Sequence, residues 1–329
     1  MINVGMVVPN KDDATSFYRA WGAFSEMRKR LRVDVNLVEL PIVSWGTVID
    51  MDVVFVQRPF NEDHIKIIQM VKSACVPVWV DWDDALWLIG KDNPCHHIYD
   101  GCGKTIKEIA ANVAIVTVST QRLADELPID AVVVRNELPK RFRDVFSEPR
   151  RKKVKDPVRI VWRGGSTHQG DWMTHLPAVI DSCKGKNVEF IMLGDAPFFV
   201  IEGLLGAGIK VGSVANAYIE QFLTTVVCND IILGDIMFVP LRDTVFNRCK
   251  SNIAQLEGTA GGMICVCPEW EEWDGPFTYA KSTDVYSALS DAITAVSCDS
   301  VSSFVKPLQE KYCRAVADEQ RWGILGGLE

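Results

Sequence analysis

The feature that most limits what this chain can become is a repeated alternation. Short, nearly continuous apolar runs rich in Val and Ile occupy 2–8, 33–40, 52–56, 76–80, 113–118 and 131–134. Between several of them, at 15–31, 61–72 and 120–127, apolar and aromatic residues recur at helical spacing. A strand that is apolar at every position has no face to give to water, so both faces of its sheet must be covered. Strand–helix alternation of this kind predicts a doubly wound parallel sheet.

The pattern breaks once. Lys140, Arg141, Arg143, Arg150, Arg151, Lys152, Lys153 and Lys155 crowd a Pro-containing stretch without apolar periodicity, which reads as a linker. Alternation then resumes, with strands expected at 158–162, 188–193, 209–211, 231–239 and 263–266. Helices are expected at 171–182, 215–223 and 247–257, and in a tail from Ser302 onward that carries Trp322. A length of 329 residues suits two such halves. The expected division is 1–140, a linker at 141–157, a second Rossmann-like half at 158–300, and a tail at 301–329 packing back toward the first half. Ligands of such halves bind at the carboxyl ends of the strands, here in the cleft between them.

Composition excludes several classes. The net charge of −8 and pI near 5.3 argue against a dedicated nucleic-acid binder, which needs Lys and Arg on phosphates. No apolar stretch reaches the ~18–20 residues of a transmembrane helix. The N-terminus enters a strand-like run directly rather than a signal-peptide pattern, so the expectation is a cytoplasmic protein, in a bacterial host if phage-encoded. The ten Cys residues, several of them in apolar runs (Cys75, Cys265, Cys267), read as reduced, buried small hydrophobes. Cys95, His96, His97 and Cys102 do not repeat the paired spacings of zinc sites, so no metal is expected there, only a loop with solvent-facing imidazoles.

Two constellations carry chemistry. In the first, Trp162, Arg163, Gly164, Gly165, Ser166, Thr167 and His168 run from a strand through a glycine pair into a helix. Glycines let backbone approach a ligand, helix N-termini attract anions, and Arg163 offers a fork-shaped cation. A plain turn is the other reading. In the second, 243–262, Asn247 is positioned to cap a helix with Lys250 and Ser251 in its first turn and Glu257 about two turns after Lys250. A cation at a helix start and a carboxylate beyond it suit a nucleoside diphosphate, Lys for phosphate and Glu for ribose. A solvated face with a charge pair fits the same spacing.

The run PLRDTVFNRCKSNIAQLEGTAGGMICV resembles the donor-binding signature of glycosyltransferase family 4 and its phage-type relatives, in which D-x-x-F-N-x-x-K-S leads to L-E-x-x-A-x-G. RGGSTHQGDW resembles their G-S-x-x-H-x-x-D-L loop, one residue short before His168. ATSFYRAW is similar to their S-x-Y-Y-R helix, VWVDWDDALW to their D-D-x-L segment, and VVRNELP to their V-x-x-N strand end. The matches run in order from Thr15 to about Gly262.

The resemblance implies a GT-B fold, two Rossmann-like domains facing each other across a cleft, with donor in the second and acceptor mainly in the first. It implies retaining transfer of a hexose from a nucleotide-diphospho-sugar, UDP- or GDP-linked, without an obligatory metal or cofactor. It implies that Arg163 and Lys250 hold the diphosphate and stabilise the leaving group, that Ser251 contacts phosphate and that Glu257 binds the ribose. Gly164, Gly165, Ser166, His168, Phe246 and Asn247 complete the donor side. Where the wider family has a sugar-contacting glutamate this chain has Cys249, which turns the search for sugar specificity to that position.

On the acceptor side, Asp83 and Asp84 either orient a hydroxyl, one serving as base, or cap the following helix. Tyr18 and Arg19 either line the cleft near Asn10 or are a buried aromatic beside a surface Arg. Asp171 supports the helix start. Trp82, Trp87, Trp270 and Trp273 stack on sugars or fill core. The acceptor is a glycan, a protein or a hydroxymethylated DNA base, for which the basic linker offers a phosphate track. The competing classes are a non-catalytic two-domain binder of a nucleotide or sugar, and a nucleotide-sugar epimerase.

Overall fold

A computed structural model describes residues 1–139, 156–214, 234–298, 301–311 and 316–328. The basic stretch expected as a linker and the helix expected at 215–223 lie outside the described residues.

Two parallel six-stranded sheets carry the fold. In the first, β1 (Ile2–Val7), β2 (Val35–Glu39), β3 (Val53–Gln57), β4 (Val78–Trp82), β5 (Ile115–Val118) and β6 (Val132–Val133) lie in the order β2-β1-β3-β4-β5-β6. In the second, β7 (Val158–Gly164), β8 (Val188–Gly194), β9 (Lys210–Val214), β10 (Ile236–Phe238), β11 (Ile264–Pro268) and β12 (Thr278–Tyr279) lie in the order β12-β11-β10-β7-β8-β9. β3, β4 and β11 are buried at every residue, as the uninterrupted apolar runs require. Each sheet reverses its winding direction once, between β1 and β3 in the first and between β7 and β10 in the second. Loops that leave strands at such a reversal diverge and open a crevice.

Aromatic packing holds each half. Phe24, Phe55 and Trp79 meet edge-to-face with centroids 5.2–5.4 Å apart against the first sheet. Trp162, Trp172, Phe190 and Phe238 meet edge-to-face in the second, with centroids 5.7–6.3 Å apart. The last helix, Ala317–Gly326, returns to the first half. Leu325 joins the core around Phe24 and Met27, and Asp318 accepts from Arg30 at 2.7 Å.

Three expectations need correction. The helix expected at 15–31 is two, α1 (Ala14–Arg19) and α2 (Trp21–Leu31), because Ala20 leaves helical geometry at φ −118°, ψ −108°. The helix expected at 247–257 is also two, Val245–Arg248 and Ile253–Ala260. Thr244, not Asn247, caps the first by accepting from the Asn247 N–H at 3.1 Å. Lys250 and Ser251 therefore lie in the connection ahead of the second helix. Cys75 is exposed rather than buried, in a left-handed turn at φ 58°. Three helices of nine residues or more that the sequence reading did not pick out, Gly103–Asn112, Phe198–Gly206 and Val285–Ser297, cover the sheets. Among the described residues no helix is long and apolar enough to cross a membrane.

Candidate functional site

The two winding reversals face each other, and two adjoining cavities of about 230 and 180 Å³ lie between them. Arg58, Asp84, His168 and Lys250 line both. Arg58 and Asp84 come from the ends of β3 and β4. His168 follows β7, and Lys250 follows β10. Tyr18, Asp83, Arg163 and Ser251 line the smaller cavity only; Phe246 and Asn247 line the larger.

Cations and carboxylates meet across this cleft. Arg163 Nε donates to Glu257 Oε2 at 2.6 Å, and the Tyr18 hydroxyl, from the other half, donates to Glu257 Oε1 at 2.7 Å. Glu257 has no exposed surface. Burial pushes its carboxyl above the ordinary range, despite the opposing pull of Arg163. Burial, reinforced by Glu257, holds the Tyr18 phenol well above its ordinary value. Lys250 Nζ lies 3.5 Å from Asp84 Oδ1 and 4.6 Å from the centroid of the Phe246 ring. Asn136 Nδ2 donates to Ser251 Oγ at 2.7 Å, and the Thr120 hydroxyl donates to the Cys249 carbonyl at 2.9 Å.

Supporting contacts fix the loops. His168 Nδ1 lies 2.9 Å from Asp171 Oδ2. Asp171 also accepts from Asn247 Nδ2 at 2.7 Å and from the Arg242 N–H at 3.1 Å. Burial raises the Asp171 carboxyl, but the hydrogen bond and charge of His168 outweigh it and leave it below its ordinary range. Asp171 thus ties the start of the helix after β7 to the β10 loop, and Asn247 serves the same tie. Gly164 is glycine because a Cβ there would come within 2.7 Å of the Trp162 ring and 3.0 Å of the His168 ring. At Gly165 a Cβ would meet nothing within 4 Å, and Ser166 is exposed. These three residues shape the turn and do not line either cavity.

Several expected residues sit elsewhere. Arg19 is neither a cleft residue nor a surface Arg: it is buried, its guanidinium paired with Asp81 at 2.6 and 3.0 Å, with further bonds to Asn136 Oδ1 at 3.1 Å and the Val134 carbonyl. It braces the strand end that carries Asn136. Asn10 is exposed outside both cavities and accepts from the Asp12 N–H at 3.0 Å. Cys249 is wholly buried among Leu123 and its neighbours in the first half's core, so its side chain does not face either cavity. Burial pushes its thiol up to about 12. Trp82 is core, with its indole donating to the Pro59 carbonyl at 3.0 Å, whereas Trp273 lines the smaller cavity. Ring nitrogens of His96 and His97 lie 2.9 and 2.8 Å from the Ile89 and Pro94 carbonyls. Among the described residues no cluster of three His, Cys, Asp or Glu is arranged to hold a metal.

The sequence reading missed Arg58. The signal available was a charged residue placed directly after an apolar strand, ahead of Pro59, at what proves to be the winding reversal.

No protein-family model matches the chain, and no curated protein matches it. Solved structures do. A glycosyltransferase from Rickettsia africae superposes with a TM-score of 0.67 at 10% identity, over 99% of this chain and 98% of that one. HepE of Anabaena, in complex with UDP and glucose, gives 0.66 at 10% identity, over 99% and 100%. An alpha-glucosyltransferase in complex with UDP-glucose and DNA containing an abasic site gives 0.60 at 12% identity, over 99% of both. The chain has the GT-B fold. Both Rossmann-like halves are matched along their whole length, so the cavities lie where the two domains of such proteins meet.

Proposed function

We propose that the protein is a glycosyltransferase that moves a hexose from a nucleoside-diphospho-sugar to a hydroxyl acceptor, with retention and without an obligatory metal. The donor sits on the second domain, 158–300, and the acceptor on the first, 1–140. The observation that carries this reading is the convergence of Arg163 and Lys250, from the two loops at the second sheet's reversal, on one cavity that also presents Ser251. A departing diphosphate gathers negative charge, and fixed cations are the direct way to stabilise it. The start of the eight-residue helix Ile253–Ala260 adds its dipole beside Ser251. UDP and UDP-glucose in the neighbours' complexes favour a UDP-linked donor over a GDP-linked one.

In this reading Arg163 and Lys250 take the diphosphate and Ser251 hydrogen-bonds a phosphate oxygen. His168 and Phe246 wall the sugar, and the turn at Gly164, Gly165 and Ser166 holds His168 in place. Glu257 takes the ribose once the Tyr18 hydroxyl yields its place. The bond from the anomeric carbon to the diphosphate breaks, and the acceptor oxygen bonds to that carbon on the same face. Asp84, beside Asp83, is placed to receive the hydroxyl proton. The test is release of UDP from UDP-glucose with a panel of saccharide acceptors and hydroxymethylated duplex DNA. The reading fails if neither UDP- nor GDP-linked sugars are bound or turned over.

A further inference from the structure

We infer that Arg58 is a positioning residue that, through its shared grip on Asp84, keeps Lys250 free for the donor's diphosphate. The inference rests on the functional reading above.

Arg58 adopts φ 51°, a left-handed conformation that a bulky side chain occupies only when its surroundings compel it. Two things compel it. Its N–H donates to the Asp81 carbonyl at 2.8 Å, which extends the β3–β4 pairing by one residue. Its guanidinium then reaches both aspartates at the end of β4. Nη2 lies 2.8 Å from Asp83 Oδ2 and 2.8 Å from Asp84 Oδ2, and Nε donates to Asp83 Oδ1. Glycine would relieve the backbone but lose the fork, and lysine cannot span two carboxylates with fixed geometry.

Asp84 is thereby divided. Its Oδ2 belongs to Arg58, and its Oδ1 faces Lys250 at 3.5 Å. A phosphate entering the cleft has to take Lys250 from Asp84. With Arg58 present, Asp84 keeps a cation when Lys250 leaves. Without Arg58, Asp84 leans on Lys250, Asp83 beside it loses its guanidinium, and the incoming anion meets their uncompensated charge. Arg58 is also one of the four residues common to both cavities, so a direct phosphate contact is the rival explanation. A double-mutant cycle separates the two, because coupling appears only when one residue acts through the other.

The probe is UDP, titrated calorimetrically into wild type, Arg58→Ala, Asp84→Asn and the double variant, with melting curves to confirm folding. Arg58→Ala is expected to weaken UDP about tenfold, or about 1.4 kcal/mol. Asp84→Asn is expected to tighten it severalfold by releasing Lys250. In the Asp84→Asn background, removal of Arg58 is expected to cost no more than about twofold, the remainder being Asp83. Should Arg58→Ala not fold, Arg58→Lys, which can hold one aspartate at a time, takes its place in the cycle. Equal losses in both backgrounds would make Arg58 a phosphate ligand and overturn the inference, as would no loss in either. If wild type and Asp84→Asn both fail to bind UDP, GDP or their sugars, the functional reading falls and takes the inference with it.

Discussion

Two carboxylates hold two of the cleft's cations, Arg163 and Lys250, and they do so on opposite terms. Glu257 is fully buried, and both oxygens are taken, by Arg163 and by a tyrosine from the opposite domain. Asp84 keeps 22% of its side chain exposed and divides its oxygens between Arg58 and Lys250. Burial raises the Glu257 carboxyl. At Asp84 burial pulls the same way, but Lys250 and Arg58 overcome it and leave the carboxyl below its ordinary range. Glu257 takes Arg163 from its own domain and only Tyr18 from the other, whereas the Asp84–Lys250 pair itself spans the two domains and stays partly open to solvent.

The cations themselves give the largest expected effect. Lys250→Ala or Arg163→Ala should lower turnover of UDP-glucose about 10²–10³-fold, measured as UDP release. Equal, small losses would show that neither carries leaving-group charge. Stability should then separate the two carboxylates. Glu257→Ala strands a buried guanidinium nitrogen and should cost about 3 kcal/mol in denaturant titration. Asp84→Ala should cost less, about 1 kcal/mol, since Asp83 still pairs with Arg58 when Asp84 is gone. Comparable costs would erase the contrast.

Acid titration sharpens the same comparison. Glu257 titrates above its ordinary 4.5 when folded, so its contribution to stability is full below that pH and is lost as pH rises through the elevated value. Asp84 titrates below its ordinary 3.8, so its contribution is present above that pH and is lost as pH falls through the lowered value. Melting temperatures across this range should show Glu257→Gln gaining on wild type as pH rises. Asp84→Asn should lose ground to wild type as pH rises toward 3.8, below the window in which Glu257 acts. Parallel slopes would contradict the assignment.

Smaller effects follow at the edges. Tyr18→Phe removes the hydroxyl that occupies Glu257 Oε1, so UDP should bind up to about tenfold more tightly if the ribose takes that oxygen. Weaker binding would place the ribose elsewhere. Cys249→Ala should leave donor-sugar preference unchanged and cost about 1 kcal/mol, because its side chain fills core rather than cavity.

Much of this architecture was legible in the sequence. Doubly buried strands leave an unmistakable apolar signature, and loops at strand ends can be located from it. Lys250, Arg163, Ser251, His168, Asp83 and Asp84, which charge spacing and motif resemblance single out, lie at or beyond such ends and line the cavities. What escaped depends on long-range contacts. Nothing local says that Arg19 will be buried against Asp81, 62 residues away. Nor does spacing reveal that the chain turns between Arg248 and Ile253, which undoes the two-turn relation between Lys250 and Glu257 while still bringing Arg163 to Glu257. Cys249 drew attention as a departure from a motif, yet the connection carries it into the other domain's core, beneath Thr120. Arg58 left only a weak signal, a charge directly after an apolar strand, because its φ of 51° belongs to no residue preference.

The central claim is that Lys250 and Arg163 make this cleft a nucleoside-diphosphate seat. The most direct test is calorimetric titration of UDP into wild type and Lys250→Ala at equal ionic strength. Wild type is expected to bind saturably, and the variant, with its fold intact, at least about tenfold more weakly. Identical affinities, or no binding by wild type, would contradict it.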